Sequence, residues 1–192
     1  MQPTFDELHD LARRRLTPSA LGHSDRVAET ASWLAGLYGV DVEDARVAGL
    51  LHDWHRDTSG SELERRARER GLPVTEADCA VPYLLHGPLA AAELARDVPG
   101  LPVEVLDAIA AHTYGASEMS PLAMVVYVAD VIEPDRDHTG VADLRESAGS
   151  IPLEELFARA YAASVQYLVQ TRRHIHPVTV MMWNRFVADG HE

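Results

Sequence analysis

Six polar residues stand where the surrounding sequence is apolar, and together they have the chemistry of a divalent metal centre: His23, His52, Asp53, His86, His112 and Asp130. His23 lies four residues before Val27, on a stripe continued by Ala31, Leu34, Ala35 and Tyr38, so helical geometry turns it inward. His52 and Asp53 end an apolar run as an abrupt polar pair. Neighbouring helix positions are about 100° apart, yet the tips of such a pair converge on one ion from a shared edge. His112 closes VEVLDAIAAHT on the face of Val105 and Ala108, and His86 stands in LLHGP, where a helix is predicted to start. Asp130 interrupts PLAMVVYVADVI, in line with Val126 and Ala123. A buried carboxylate with neither cation nor donors is costly.

Taken singly, each histidine reads more readily as a satisfied core residue or a helix cap than as a ligand. Taken jointly, neutral imidazole nitrogens and carboxylate oxygens suit iron, manganese, zinc, cobalt or nickel, and six such groups exceed what one tetrahedral ion can use. Two ions sharing a carboxylate would use them all. Two divalent cations would outweigh the two aspartates and turn the pocket positive inside a chain of formal net charge -13, a local reversal that attracts phosphates. Such ions lower the pKa of water and neutralise phosphoryl charge, so hydrolysis there requires no protein nucleophile.

The elements that must position these residues are all helical. Ala, Leu, Glu and Arg dominate, alternating β-branched residues are nearly absent, and Pro or Gly recurs between segments of helical length. Helices are predicted near 4–15, 20–38, 42–55, 60–70, 84–97, 102–113, 120–132, 141–148, 152–172 and 177–188. Between them TPSALG, HRDTSGS, RGLPVTEAD, DVPGLP, TYGASEMSP and EPDRDHTG read as turns, none long enough for an interdomain linker. The expectation is one domain over 1–192, with a core of about 20–135 and C-terminal helices of about 141–188 packed on it. The basic runs RRR (13–15), ERRARER (64–70) and RR (172–173) read as solvated helix faces.

Composition bounds the partners. With 17 Lys plus Arg against 30 Asp plus Glu, the chain is too acidic for broad binding to nucleic acid or an anionic membrane. One cysteine, Cys79, excludes an intramolecular disulfide and a thiolate-rich cluster, and fits a reducing cytoplasm. No stretch reads as a signal peptide or bilayer span, so a soluble protein is expected.

The order His, His-Asp, His, His, Asp resembles the HD-domain superfamily, and in particular its YqeK-like branch of symmetrical bis(5'-nucleosyl)-tetraphosphatases. The likeness runs from about residue 20 to 184. It rests on GHSDRVAETASWLAGLYGVDVEDARVAGLLHD, LLHGPLAAAELA, AIAAHTYG, MSPLAMVVYVADVIEPDRDHTGVADLR and HPVTVMMWN. A lone His-Asp pair is weak, whereas ADVIEPDR followed by TGVADLR is specific to that branch. The resemblance implies an all-α HD-domain bundle with one metal on His23, His52, Asp53 and Asp130, and a second on His86 and His112 with Asp53 bridging. It also implies iron as the metal and diadenosine tetraphosphate, cut to two ADP, as the substrate. The branch usually carries Lys where this chain has Arg56, and a basic residue where it has Ala110. Arg keeps the charge but offers a planar fork instead of a point donor, which leaves the fine substrate preference open.

Arg136, just beyond Asp130, is the candidate phosphate clamp and Arg56 a second; the plainer reading of each is a surface ion pair with a nearby acid such as Asp135 or Asp57. Glu133 and Asp137 are candidates to orient these arginines or hold a water. His176 and Asn184 belong to the resemblance and either touch nucleotide or cap a helix. His9, His55, His138, His174 and His191 receive no role. Two other functions compete: the same site acting on another nucleotide, a deoxynucleoside triphosphate or guanosine alarmone, and a sensing module that binds nucleotide without turnover. A homodimer is compatible with each.

Overall fold

The computed structural model describes residues 3–189; His191 lies outside them. Eleven α-helices and one short 3₁₀ turn occur among the described residues, and no strand. Their starts are written locally. Thr4 and Glu7 form a capping box on α1 (Phe5–Arg15), and Thr17 with Pro18 opens α2 (Pro18–Tyr38). Asp41 caps α3 (Val42–Leu51) and Ser59 caps α4 (Gly60–Glu69). After α5 (Glu76–Ala80) and the 3₁₀ turn Pro82–Leu85 come α6 (His86–Asp97) and α7 (Val103–Ala111). Ser120 caps α8 (Pro121–Ile132), and α9 (Val141–Ser147), α10 (Leu153–Gln170) and α11 (Pro177–Asp189) follow.

All ten predicted helices are present, with three corrections. The helix expected over 42–55 stops at Leu51, and His52–Asp57 run through tight turns. The one expected over 102–113 stops at Ala111. The segment RGLPVTEAD, read as turn only, contains the start of α5, whose capping box pairs Thr75 with Asp78.

Helices α2, α3, α7 and α8 form the centre, with Val27, Leu34, Leu50, Ile109 and Val126 fully buried between them. The α2–α3 approach is close because Gly49 has no side chain: a Cβ there would lie 2.8 Å from the Ala28 Cα. Gly49→Ala is therefore expected to force the two helices apart and destabilise the fold by about 1–3 kcal/mol, read as a lowered urea midpoint. An unchanged midpoint would show that this crossing can open freely. On the other flank, Phe157 and Tyr161 of α10 each pack their rings 5.3 Å from Tyr127 of α8, and Phe186 of α11 packs on both.

Three arginines of the basic runs, Arg15, Arg66 and Arg70, reach from partly exposed positions to buried partners, which the solvated-face reading does not include. Arg15 donates to His55 Nδ1 at 2.8 Å, His55 Nε2 donates to Glu93 at 3.1 Å, and Arg66 and Arg70 reach the same carboxylate. Burial, reinforced by Arg15, pushes His55 down to about 4, so it is neutral and structural. The knot ties α1, α4 and α6 to the turn that carries Asp53. No helix among the described residues is long and apolar enough to cross a membrane.

Candidate metal centre

All six sequence-predicted residues meet at one buried point. His23 comes from the second turn of α2, His52 and Asp53 from the turn after α3, His86 from the first position of α6, His112 from just past α7, and Asp130 from the last turn of α8. Asp53 sits at the middle and its two oxygens face opposite ways. Oδ2 lies 3.5 Å from His23 Nε2 and 3.3 Å from His52 Nε2; Oδ1 lies 3.2 Å from His86 Nε2 and 3.9 Å from His112 Nε2. Asp130 Oδ1 adds to the first group, 3.0 Å from His23 Nε2 and 4.0 Å from His52 Nε2.

The far side of each ring decides which nitrogen carries the proton. His52 Nδ1 donates to the Gly49 carbonyl at 2.7 Å, His86 Nδ1 to Tyr83 at 2.6 Å and His112 Nδ1 to Ile109 at 2.7 Å. His23 Nδ1 donates to the Glu133 carboxylate at 3.2 Å. These partners only accept, so each Nε2 presents a bare lone pair to the centre. His23 Nε2 and His52 Nε2 are buried without a hydrogen-bond partner, and the Nε2 atoms of His86 and His112 face each other at 2.9 Å. Lone pairs so arranged repel unless a cation lies among them. The donor set and its orientation thus fit divalent metal.

The carboxylates are held ionised. Burial pushes the Asp53 carboxyl up, but contact with His52 and His86 holds it well below the usual carboxylate range, and Asp53 and Asp130 in turn raise His52 against its burial. Asp130 is lowered likewise, burial being outweighed by His23, His52 and Arg136. His112 is pushed down to about 3 by burial and by His86 and His52, which keeps it in the neutral form that metals bind. The centre opens on a cavity of about 910 Å³.

A family model described as HD domain matches residues 20–135. The chain belongs to the HD-domain family. It is 30% identical over 181 residues to the protein named bis(5'-nucleosyl)-tetraphosphatase, symmetrical, of Halalkalibacterium halodurans, covering 93% of this chain and 95% of that one. It is 31% identical over 182 residues to the protein of the same name from Staphylococcus aureus, covering 92% and 91%. A crystal structure from Clostridium acetobutylicum, described as a predicted HD superfamily hydrolase involved in NAD metabolism, superposes with a TM-score of 0.91 at 29% identity, over 98% of this chain and 100% of that one.

Within this HD domain neither arginine pairs as the plainer reading expected. Arg56 donates from Nη1 to Asp53 Oδ2, and Arg136 donates from Nη2 to Asp130 Oδ1 at 2.6 Å and from Nε to the Asp130 carbonyl at 2.9 Å. Asp57 instead accepts from the Thr17 N–H, and Asp135 pairs with Arg26. Both guanidinium groups line the cavity, as do Asp137 and His138. His176 accepts from the Val178 N–H at the start of α11 and stacks on Tyr114 at 4.1 Å, so it caps a helix and braces the cavity wall. Asn184 is exposed.

Sequence reasoning missed Arg26 and the three carbonyls that fix the rings. Arg26 had a signal, since it follows His23 by one helical turn. A backbone acceptor has none.

Proposed function

We propose that this HD-domain protein hydrolyses diadenosine tetraphosphate to two ADP at a centre of two divalent ions held by His23, His52, Asp53, His86, His112 and Asp130. The observation that carries it is the pair of Asp53 oxygens, each turned to its own group of imidazole lone pairs beside a roomy cavity. The names borne by the two relatives supply the substrate. Iron is the metal put forward, within the range of ions that mixed imidazole and carboxylate ligands accept.

Bound ions would supply activated water and neutralise phosphoryl charge. The chain's own residues do the rest. Asp53 spans both positions, and the acceptors behind each ring hold the four Nε2 atoms in register. Arg56 and Arg136 bring planar forks to the cavity, where their N–H groups would serve phosphate oxygens in a metal-loaded site. Tyr83, Tyr114 and Tyr167 line the same cavity with ring faces of the kind nucleobases stack on. The chain is taken as one domain, supported by the packing of Tyr161 on Tyr127. The reading includes a cytoplasmic location, supported by the single exposed thiol of Cys79, and a homodimer, supported by exposed Val180, Trp183 and Val187 on α11.

The test combines metal analysis of anaerobically purified protein with hydrolysis in ¹⁸O-labelled water. Attack on a central phosphorus leaves label on a β-phosphate of one of the two ADP molecules per turnover. Labelled AMP beside unlabelled ATP, or inorganic phosphate as first product, would remove the symmetrical reading. Turnover of a deoxynucleoside triphosphate or guanosine alarmone in preference would replace the substrate, and no product from any of them would favour a sensor.

A further inference from the structure

The four imidazoles that face the centre are alike in front and unlike behind. His52, His86 and His112 each lean on a carbonyl three residues earlier, whereas His23 leans on a carboxylate. That carboxylate is elaborately held. Glu133 is 2% exposed, and besides His23 it accepts from Arg26 Nε at 2.6 Å and from the Asp135 N–H at 2.9 Å. Arg145 of α9 grips the backbone around it, donating to the carbonyls of Ile132, Glu133 and Arg136 at 2.8, 2.5 and 2.7 Å. The turn is thus already fixed through its backbone, and a buried charge at Glu133 is not needed to shape it.

We propose that Glu133 is a positioning residue that makes His23 the strongest imidazole donor of the four, so that the His23–His52–Asp130 side takes its ion first and more tightly than the His86–His112 side. This rests on the two-metal reading above. A carboxylate accepting from Nδ1 raises electron density on Nε2 more than a neutral carbonyl does, and so strengthens the bond Nε2 makes to a cation. The same side also has two anionic oxygens within reach, Asp53 Oδ2 and Asp130 Oδ1, where the other has, among the described residues, Asp53 Oδ1 alone. Arg26 balances the Glu133 charge without touching the ring, leaving the His23 contact to act on the donor.

The test is titration of metal-free protein with Co²⁺ against a competing chelator, followed by visible absorption. Wild type should fill in two steps. Glu133→Gln keeps the shape and an acceptor for Arg26 but not the charge. It should weaken the first step by about 10–100-fold, shift the absorption of the first ion, and leave the second step unchanged. His86→Ala should do the converse. Equal weakening of both steps in Glu133→Gln, or no change in either, overturns the proposal. If that variant does not fold, the same titration of Arg26→Gln, which leaves the Glu133 charge uncompensated, decides: a change confined to the first step supports the proposal, and an equal change at both steps or none at either overturns it. A wild type that takes up no ion at all would instead sink the two-metal reading itself.

Discussion

Asp53→Asn is expected to abolish uptake of a full metal complement and to lower turnover by at least ~10³-fold. The expectation follows from position. Among the described residues Asp53 is the one whose side chain reaches both groups of imidazole nitrogens, through different oxygens, so its loss touches each ion. An amide keeps the shape but removes the charge and points a donor NH₂ at lone pairs that need a cation, or at the cation itself. Losing a several-kcal/mol electrostatic interaction in a dry site corresponds to three or more decades in rate. His86→Ala, in contrast, strips one ligand from one position. Elemental analysis after gel filtration distinguishes the two: Asp53→Asn should carry less metal than His86→Ala, and equal, full metal in both variants would rule out a shared carboxylate.

The way the site was and was not legible in the chain has a single physical root. Apolar periodicity marks which helical face is buried, so His23, His112 and Asp130 read as inward-facing from the chain alone, while His52 and Asp53 stand out as a polar pair ending an apolar run and His86 only as a residue where a helix starts. The places where the reading overran are places where the site overrides local propensity. Nothing in LLHDWH stops a helix, yet α3 ends at Leu51. The carbonyl of Gly49, which would accept the Asp53 N–H in a continuing helix, is taken by the His52 ring instead. The same exchange occurs at α7, where His112 takes the Ile109 carbonyl that a longer helix would offer to Thr113. Side-chain competition for a helical acceptor ends both helices where a ligand is needed, and such competition leaves no mark on composition.

The short α5 was missed for the opposite reason. Thr75 and Asp78 carry a capping signal, but five residues bounded by Gly71, Pro73 and Pro82 look like a loop on any window average. Arginine partners escaped for a third reason. Asp57 and Asp135 adjoin Arg56 and Arg136 in sequence, whereas buried Asp53 and half-buried Asp130 lie three and six residues back and need a counter-charge. Burial, not adjacency, chose the pairs.

Arg136→Ala is expected to retain metal, or to gain affinity for it, while turnover falls by about 10²-fold. The Arg136 guanidinium now lies 2.6 Å from Asp130 Oδ1, the oxygen that also faces His23 and His52, so it competes with a cation for that atom. Removing the competitor does not harm a bound ion. Its Nε donates to the Asp130 carbonyl, which keeps the head group at the cavity wall, and about a third of the side chain stays open to solvent. A guanidinium so tethered can turn its remaining N–H groups to a phosphate oxygen without leaving the site, and deleting one preorganised donor to developing phosphoryl charge costs about two decades in kcat. Arg136→Lys should recover part of that loss, since a point charge reaches the phosphate but cannot hold carbonyl and phosphate together as the fork does. Metal content and kcat measured on the same preparations separate three outcomes. Low kcat with full metal assigns Arg136 to the phosphate. Low kcat with depleted metal makes it instead a brace for Asp130. Unchanged kcat with full metal means that its contact with Asp130 matters only while no cation is bound.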